Sequence, residues 1–109
     1  MRDYIHVVDL AVWHILALEE LSQDKPAWRV YNLGSGNGYS VLEIIKTYEK
    51  ALGKEILYQI VARRVGDIAV SFADITKAKR ELSFETQKTI DDICYDMLRW
   101  QNYAKENNI

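Results

Sequence analysis

The chain has 109 residues, of which 49% are apolar and 11% aromatic, and its formal net charge is −2. This length suits one domain or a piece of a larger one, and this composition argues against a disordered chain. The charge leaves no basic footprint for nucleic acid or an anionic membrane. The single cysteine cannot form an internal disulfide, and no run approaches the roughly 20 apolar residues of a membrane span. We therefore predict a soluble, cytoplasmic α/β chain.

The first half of the chain is predicted to begin with a strand, a helix and a second strand. The first strand is short, at 4–7, and a nearly all-apolar helix follows at about 8–21 with Asp9 in its first turn. A loop at 22–28 then leads to the second strand, at 29–33. A helix that is apolar almost all round is usually covered on more than one side.

The second predicted helix carries its own start and stop signals. Ser40 and Glu43 form the S-x-x-E pattern of a capping box, in which each residue satisfies a backbone N–H of the other. Gly53 ends the helical spacing, because glycine readily adopts the left-handed conformation that follows a helix. The helix is therefore predicted between Ser40 and Gly53.

The second half adds a strand and two helices. The segment "EILYQIVA" at 55–62 predicts a third strand, and Asp74 is predicted to cap a short helix at about 75–82. Thr89 and Asp92 are predicted to open a last helix with an apolar stripe. The resulting order, β-α-β-α-β-α-α, is typical of an α/β layer structure.

A glycine-rich loop at 34–38 follows the second predicted strand and resembles a dinucleotide-binding loop in part. The dinucleotide fingerprint is G-x-G-x-x-G/A, and its third glycine allows helix and strand to pack closely. Gly34 and Gly36 match this pattern, but Tyr39 occupies the third position. A tight turn with a positive φ is therefore the better interpretation, and no cofactor site is predicted in this loop.

The segment "ARRVGD" at 62–67 is the strongest candidate for a binding site. Arg63 and Arg64 come directly after an apolar strand-like run, and strand ends are where α/β folds place ligand sites. A guanidinium group there can hold a phosphate through two parallel hydrogen bonds. The alternative is an internal ion pair of Asp67 with Arg63 or Arg64, and the residues alone leave both possibilities open.

Two other reactive side chains are better explained as structural. His14 lies within an apolar helix and is predicted to be a core histidine. Cys94 lies on the apolar stripe of the last helix and is also predicted to be core. The histidines have no neighbours at metal-ligand spacing.

Four segments carry a family resemblance: "RDYIHVVDLA" at 2–11, "YNLGSGNGYSV" at 31–41, "ARRVGD" at 62–67 and "DDICYDMLRWQ" at 91–101. In this order and spacing they resemble the C-terminal part of the UDP-glucose (UDP-galactose) 4-epimerases, which are extended short-chain dehydrogenases/reductases. The resemblance implies one C-terminal, substrate-binding region of a Rossmann-type epimerase. Sister nucleotide-sugar epimerases and dehydratases, and a non-catalytic nucleotide-sugar-binding module, remain as alternatives.

The same resemblance implies roles for four residues. Arg2 and Arg64 are expected to bind the UDP diphosphate, and Asp67 the ribose or an adjoining part of the nucleotide. Ser71, four residues after Asp67, is expected to line the sugar pocket. Its small side chain would leave room for the acetamido group of UDP-GlcNAc or UDP-GalNAc.

The resemblance also shows which motifs of the family this sequence does not contain. The family binds NAD through an N-terminal G-x-x-G-x-x-G loop and uses a Tyr-x-x-x-Lys pair for proton transfer, and neither pattern occurs in this sequence. We therefore expect a C-terminal fragment of an NAD-dependent enzyme that commonly forms homodimers. The fragment itself is expected to hold no NAD, to be inactive, and to self-associate through an exposed apolar patch.

Overall fold

Helices form the regular structure of this chain. The computed structural model describes residues 1–23 and 28–109, and within them it has four helices. They are α1 (Val7–Gln23), α2 (Val41–Leu52), α3 (Thr76–Leu82) and α4 (Ile90–Glu106). None of them is long and apolar enough to cross a bilayer. All four were predicted, whereas the loop predicted at 22–28 lies partly outside the described residues.

The predicted capping signals of α2 and α4 are confirmed. The Ser40 hydroxyl accepts from the backbone N–H of Glu43, and the Glu43 carboxylate accepts from the backbone N–H of Ser40. Thr89 and Asp92 make the same reciprocal pair at the start of α4. Gly53 ends α2 in the left-handed region, at φ 77°. The carboxylates of Glu43 and Asp92 each have a lowered pKa. The main cause is the hydrogen bond from the backbone N–H of the cap residue, and the second is the hydrogen bond from its hydroxyl.

Helix α3 begins one residue later than predicted, and Asp74 stabilises its start. The Asp74 carboxylate accepts from the Thr76 hydroxyl at 2.6 Å and from the Thr76 backbone N–H at 3.0 Å. These two hydrogen bonds lower the pKa of Asp74, and the one from the Thr76 hydroxyl has the larger effect. The N-cap of α3 is nevertheless Ile75, which makes no side-chain capping hydrogen bond, so the prediction of Asp74 as the cap residue is wrong by one position.

A buried histidine ties the start of α1 to α4. His6 is 5% exposed, and its Nδ1 accepts from the backbone N–H of Val8 at 3.0 Å. Because Nδ1 accepts, the ring hydrogen lies on Nε2, which donates to Asp96 of α4 at 3.0 Å. This hydrogen bond lowers the pKa of Asp96.

Asp9 is a second polar side chain that joins α1 to the segment before α4. It lies in the first turn of α1, as predicted, but it is buried. Its carboxylate accepts from the backbone N–H groups of Gln87 and Lys88 at 3.1 and 2.9 Å. A buried carboxylate needs such partners, so Asp9 positions the chain that leads into α4.

The three predicted strands are not present in the part of the chain that the structure describes. Only two isolated bridges occur there, an antiparallel one between Arg2 and Tyr39 and a parallel one between Arg2 and Ser71. A strand forms only when a neighbouring strand satisfies its N–H and C=O groups. Among the described residues, the segment 55–62 has no such neighbour, and Leu57 is 98% exposed. The β-α-β-α-β-α-α order is therefore not confirmed.

The core is small and the molecule is flat. Within residues 1–23 and 28–109, the buried apolar side chains are Ala78, Leu82, Phe84 and Cys94. The Cα radius of gyration is 17.2 Å and the principal extents are 53 × 38 × 21 Å. A compact domain of this length has a radius of gyration of about 13 Å. The predicted core position of Cys94 is confirmed, and burial raises the pKa of its thiol.

One face of α1 is apolar and exposed. Val12, Ile15 and Leu18 are each at least 44% exposed and follow helical spacing.

The prediction that His14 is a core histidine is wrong. Its side chain is exposed, and its Nδ1–H donates to the Leu10 carbonyl one turn earlier at 2.7 Å. A helix sequence that is apolar almost all round does not mark one face as the buried one. Tertiary packing therefore decides which side of α1 faces the core.

Candidate functional site

The glycine-rich loop is organised around a carboxylate. Asp3 accepts hydrogen bonds from the backbone N–H of Ser35 at 2.9 Å and from that of Gly36 at 3.0 Å. It also accepts from the Ser35 hydroxyl at 2.7 Å and from the backbone N–H of Ala73 at 3.2 Å. Asp3 therefore joins the loop to the segment around Ala73.

This arrangement does not fit a dinucleotide. In a dinucleotide-binding loop, free backbone N–H groups receive the pyrophosphate. Here the Asp3 carboxylate takes the N–H groups of Ser35 and Gly36, so a phosphate would meet a negative charge. The predicted turn is present, with Gly36 at φ 77°. Gly34 is required for another reason, because a Cβ there would collide with the Asp3 carboxylate.

Arg2 lies between two other segments and is held by its backbone. It exchanges two N–H···O hydrogen bonds with Tyr39, both at 2.8 Å. On its other side, the backbone N–H of Ser71 donates to the Met1 carbonyl at 3.0 Å. The chain around Arg2 thereby reaches the start of α2 and the segment that follows "ARRVGD".

A cavity of about 290 Å³ opens where these segments meet. Three of the four predicted site residues, Arg2, Arg64 and Asp67, lie around this cavity. The complete lining is Met1, Arg2, Tyr4, Tyr39, Val41, Arg63, Arg64, Asp67, Ile68 and Ala69. Residues from opposite ends of the sequence thus share one concave surface, which we call the arginine cavity.

The fourth predicted residue, Ser71, does not line the arginine cavity. It borders an adjoining concavity of about 410 Å³, to which Arg2 and Asp3 also contribute. Phe72 and Asp74 lie on the same surface. Arg2 therefore stands between the two depressions, and Ser71 lies on the far side of it.

Asp67 forms an ion pair, but with neither of the residues considered from the sequence. Its carboxylate accepts from Nη2 of Arg2 at 2.5 Å. The backbone N–H of Asp67 donates to the Arg64 carbonyl at 3.2 Å, and Gly66 has φ 80° in this turn. Within the described residues, the side chains of Arg63 and Arg64 have no hydrogen bond or ion pair. The cavity thus carries three guanidinium groups against one carboxylate.

Sequence reasoning missed the two tyrosines of the arginine cavity. Tyr4 and Tyr39 are both half-buried and contribute aromatic surface beside the cations. Tyr39 was considered only as a departure from the dinucleotide fingerprint. No local signal marks either residue, since both reach the cavity through the long-range pairing of Arg2 with Tyr39.

A wider concavity of about 510 Å³ runs along α4 and contains none of the predicted site residues. Its lining comes from α4 alone, for example Asp96, Trp100 and Tyr103. A depression bounded by one helix is open to solvent, and its charges do not converge on a point. We therefore place the candidate site at the smaller arginine cavity.

Similar proteins point to one family. No protein-family model matches the chain. The UDP-glucose 4-epimerase of Bacillus subtilis (strain 168) is 53% identical over 102 residues, which are 94% of this chain and 30% of that protein. The human UDP-glucose 4-epimerase is 50% identical over 101 residues, 93% of this chain and 29% of that protein. The chain is a homologue of part of the UDP-glucose 4-epimerases. It matches their C-terminal part and spans about 30% of their length.

Solved structures of UDP-glucose 4-epimerases agree. The Bifidobacterium longum enzyme in complex with NAD+ and UDP has a TM-score of 0.85 at 52% identity, over 93% of this chain and 30% of that one. The Stenotrophomonas maltophila enzyme, with NAD and formylated UDP-arabinopyranose, has a TM-score of 0.90 at 45% identity, over 96% and 31%. The Campylobacter jejuni UDP-Glc/GlcNAc 4-epimerase has a TM-score of 0.82 at 31% identity, over 94% and 31%. The chain shares the fold of the matching part of these Rossmann-type epimerases.

Proposed function

We propose that this chain is the UDP-sugar-binding C-terminal part of an NAD-dependent UDP-glucose 4-epimerase that acts in galactose and nucleotide-sugar metabolism. The observation that carries the proposal is the arginine cavity, which collects Arg2, Arg64 and Asp67 in a chain about half identical to such enzymes. Charge and donor geometry then suggest how each residue acts.

Arg2 and Arg64 are proposed to bind the diphosphate. A guanidinium group offers paired N–H donors that match two phosphate oxygens, and it remains charged at all relevant pH values. Two such groups, with Arg63 nearby, balance the charge of a nucleoside diphosphate. Asp67 is proposed to accept a hydrogen bond from a ribose hydroxyl, because a carboxylate is a hydrogen-bond acceptor and a hydroxyl can donate.

The size of the cavity supports a partial site. Small-molecule sites occupy roughly 300 to 1,000 Å³, and the arginine cavity, at about 290 Å³, lies just below this range. It therefore suits the diphosphate and its immediate neighbours. The base of the nucleotide is expected to contact protein outside these residues.

The chemistry of the reaction is assigned outside these residues. In the family, NAD accepts and returns a hydride while a Tyr-x-x-x-Lys pair moves the hydroxyl proton, and this sequence has no such pair. The glycine-rich loop does not fit NAD, because Asp3 occupies its N–H groups. The proposed role of this chain is to bind the diphosphate and hold the sugar in place. By itself it should bind weakly and not epimerise.

Ser71 is proposed to admit N-acetylhexosamines. Its small side chain borders the concavity beside Arg2, where the sugar would continue from the diphosphate. A tyrosine there would fill the space that an acetamido group needs. The similar Campylobacter jejuni enzyme is described as a UDP-Glc/GlcNAc 4-epimerase, which supports this interpretation.

A cytoplasmic location and homodimerisation of the enzyme that contains this chain are further parts of the proposal. The single cysteine is consistent with a reducing compartment. We also propose that the isolated chain self-associates. The support is its exposed apolar surface, on α1 and at Leu57, Ile60 and Val61.

Calorimetric titration with UDP, UDP-glucose and uridine tests the proposal. The chain should bind UDP, weakly, and Arg64→Ala should weaken UDP binding by about tenfold or more because a charged hydrogen-bonding group is lost. Arg80→Ala is the matched control, since Arg80 is an exposed arginine on α3 away from the cavity. In an epimerase that contains this chain, Arg64→Ala should raise the KM for UDP-glucose. If Arg64→Ala changes neither UDP affinity nor KM, the assignment is wrong.

A further inference from the structure

The ion pair between Arg2 and Asp67 engages a guanidinium group that the proposed diphosphate site needs. Nη2 of Arg2 donates to Asp67 at 2.5 Å, and Nη1 donates to the Met1 carbonyl at 2.8 Å. The two side chains are 37% and 32% exposed, so solvent and ligand can reach the pair. Both outer nitrogens of Arg2 therefore have partners within the protein.

We propose that Asp67 is an internal counter-anion that makes the arginine cavity select nucleoside diphosphates over inorganic pyrophosphate. This inference rests on the proposed function. An incoming diphosphate must draw the Arg2 guanidinium away from the Asp67 carboxylate. The released carboxylate is then free to accept from a ribose hydroxyl, which a nucleotide has and inorganic pyrophosphate lacks.

Backbone hydrogen bonds around Arg2 and Asp67 would let their ion pair open by movement of the two side chains alone. Arg2 is fixed by its two hydrogen bonds to Tyr39, so its main chain stays in place when the ion pair opens. Asp67 is fixed by the turn in which its N–H donates to the Arg64 carbonyl. The two groups are thus held close enough to pair, yet neither is so buried that separation would strand a charge.

The other two arginines provide the first contact for an anion. Within the described residues, Arg63 and Arg64 have no competing side-chain partner, and both face solvent at the cavity. An anion is attracted to them before Arg2 is released. Inorganic pyrophosphate gains these contacts but must displace Asp67 without compensation. A nucleoside diphosphate recovers that loss through its ribose.

Affinities for inorganic pyrophosphate and UDP, measured by titration of the full chain, test this inference. Asp67→Asn keeps the shape of the side chain and removes its charge. It should tighten inorganic pyrophosphate binding by about three- to tenfold, because a competing ion pair and a repulsive charge both disappear. UDP binding should stay unchanged or weaken, so the preference for UDP should fall. Asp91→Asn, which removes an equal charge on α4, should change both affinities by less than about twofold.

A double-mutant cycle separates action through Arg2 from a general charge effect. If Asp67 acts by holding Arg2, then Asp67→Asn should tighten pyrophosphate binding much less in an Arg2→Met background. Arg2→Met retains the apolar stem and the backbone pairing, and circular dichroism should match the unsubstituted chain. Tightening of the same size in both backgrounds would overturn the inference.

The outcomes also separate this inference from the proposed function. If the chain binds UDP but Asp67→Asn leaves pyrophosphate affinity unchanged, or tightens UDP and pyrophosphate equally, the counter-anion role is wrong and the UDP site stands. If the unsubstituted chain binds neither ligand, the proposed function fails and this inference fails with it.

Discussion

The carboxylate of Asp3 accepts a hydrogen bond from the backbone N–H of Gly36, 33 residues later in the sequence, at 3.0 Å. This contact explains a loop that looks like a dinucleotide site but is not built as one. The negative charge that such a loop would receive from a ligand is supplied by the protein itself. Gly34 allows the backbone to approach Asp3, and the loop in turn joins the start of the chain to α2.

Replacing Asp3 should loosen this loop first. Asp3→Ala removes the acceptor of three backbone N–H groups, those of Ser35, Gly36 and Ala73, and should destabilise the chain by on the order of 3 kcal/mol. Hydrogen exchange should speed up at these three amides before it does in α2. Asp91→Ala on the surface of α4 is the control. Unchanged protection at Ser35 and Gly36 would contradict the role given to Asp3.

Two glycines of the loop, Gly34 and Gly38, do not have a positive φ. Of these two, Gly34 should tolerate replacement less well. A Cβ on Gly34 would overlap the Asp3 carboxylate and lie 2.8 Å from the Cβ of Ala73, so Gly34→Ala should cost about 2 to 3 kcal/mol. The matched control is Gly38→Ala, whose Cβ would meet the Phe72 ring at 3.2 Å, where a side chain can move. Urea unfolding should therefore rank Gly34→Ala as clearly the worse change. Equal losses would argue against the close approach.

Acid should weaken the starts of α2 and α4. The capping hydrogen bonds hold the pKa values of Glu43 and Asp92 below their usual range, so their stabilisation is complete above the ordinary values of about 4. It is lost as the pH falls through the lowered values, because protonation removes the charged acceptor. Glu43→Gln and Asp92→Asn should therefore reduce the free energy of unfolding at about pH 7 and have little effect at about pH 2.5. Equal effects at both pH values would show that these charges do not matter.

The capping hydroxyls should contribute at all pH values. Ser40→Ala and Thr89→Ala each remove the acceptor of an N3 backbone N–H and should cost about 1 kcal/mol. Chemical unfolding followed by circular dichroism measures this loss. Thr47→Ala, in the interior of α2, is a suitable comparison because its hydroxyl only donates to the Glu43 carbonyl. A larger loss for Thr47→Ala would contradict the capping argument.

Ser71 should control sugar tolerance in an epimerase that contains this chain. Ser71→Tyr should lower kcat/KM for UDP-GlcNAc by about tenfold or more relative to UDP-glucose, because the ring would fill the space of the acetamido group. Ser71→Ala is the control, since it keeps the space open. If Ser71→Tyr retains the original ratio of the two activities, the proposed sugar pocket lies elsewhere.

The exposed face of α1 should drive self-association of the isolated chain. Ile15 and Leu18 are 56% and 67% exposed, and Ile15→Glu with Leu18→Glu should weaken association by about tenfold or more because two charges would have to be buried. Light scattering and binding of a hydrophobic dye measure the change. Lys46→Glu on α2 controls for added negative charge. A chain that remains monomeric at high concentration would contradict the expectation.

The sequence by itself determined the helices. The starts of α2 and α4 depend on partners three residues apart, the pairs Ser40–Glu43 and Thr89–Asp92, and such local pairs can be read along the sequence. The apolar stripe of α4 likewise predicted the burial of Cys94. Arg2 was predicted as a site residue only through the family resemblance, because no local pattern singles it out.

Only the tertiary structure decided which groups meet. Asp67 pairs with Arg2 across 65 residues rather than with the arginines beside it, and Asp3 meets the backbone of Gly36 rather than solvent. The apolar run at 55–62 did not become a strand, because strand formation depends on a neighbouring chain segment. His14 faces outward because packing, not composition, set the rotation of α1. Local hydrogen bonds can be read along a sequence, whereas pairs formed by distant segments exist only once the chain has folded.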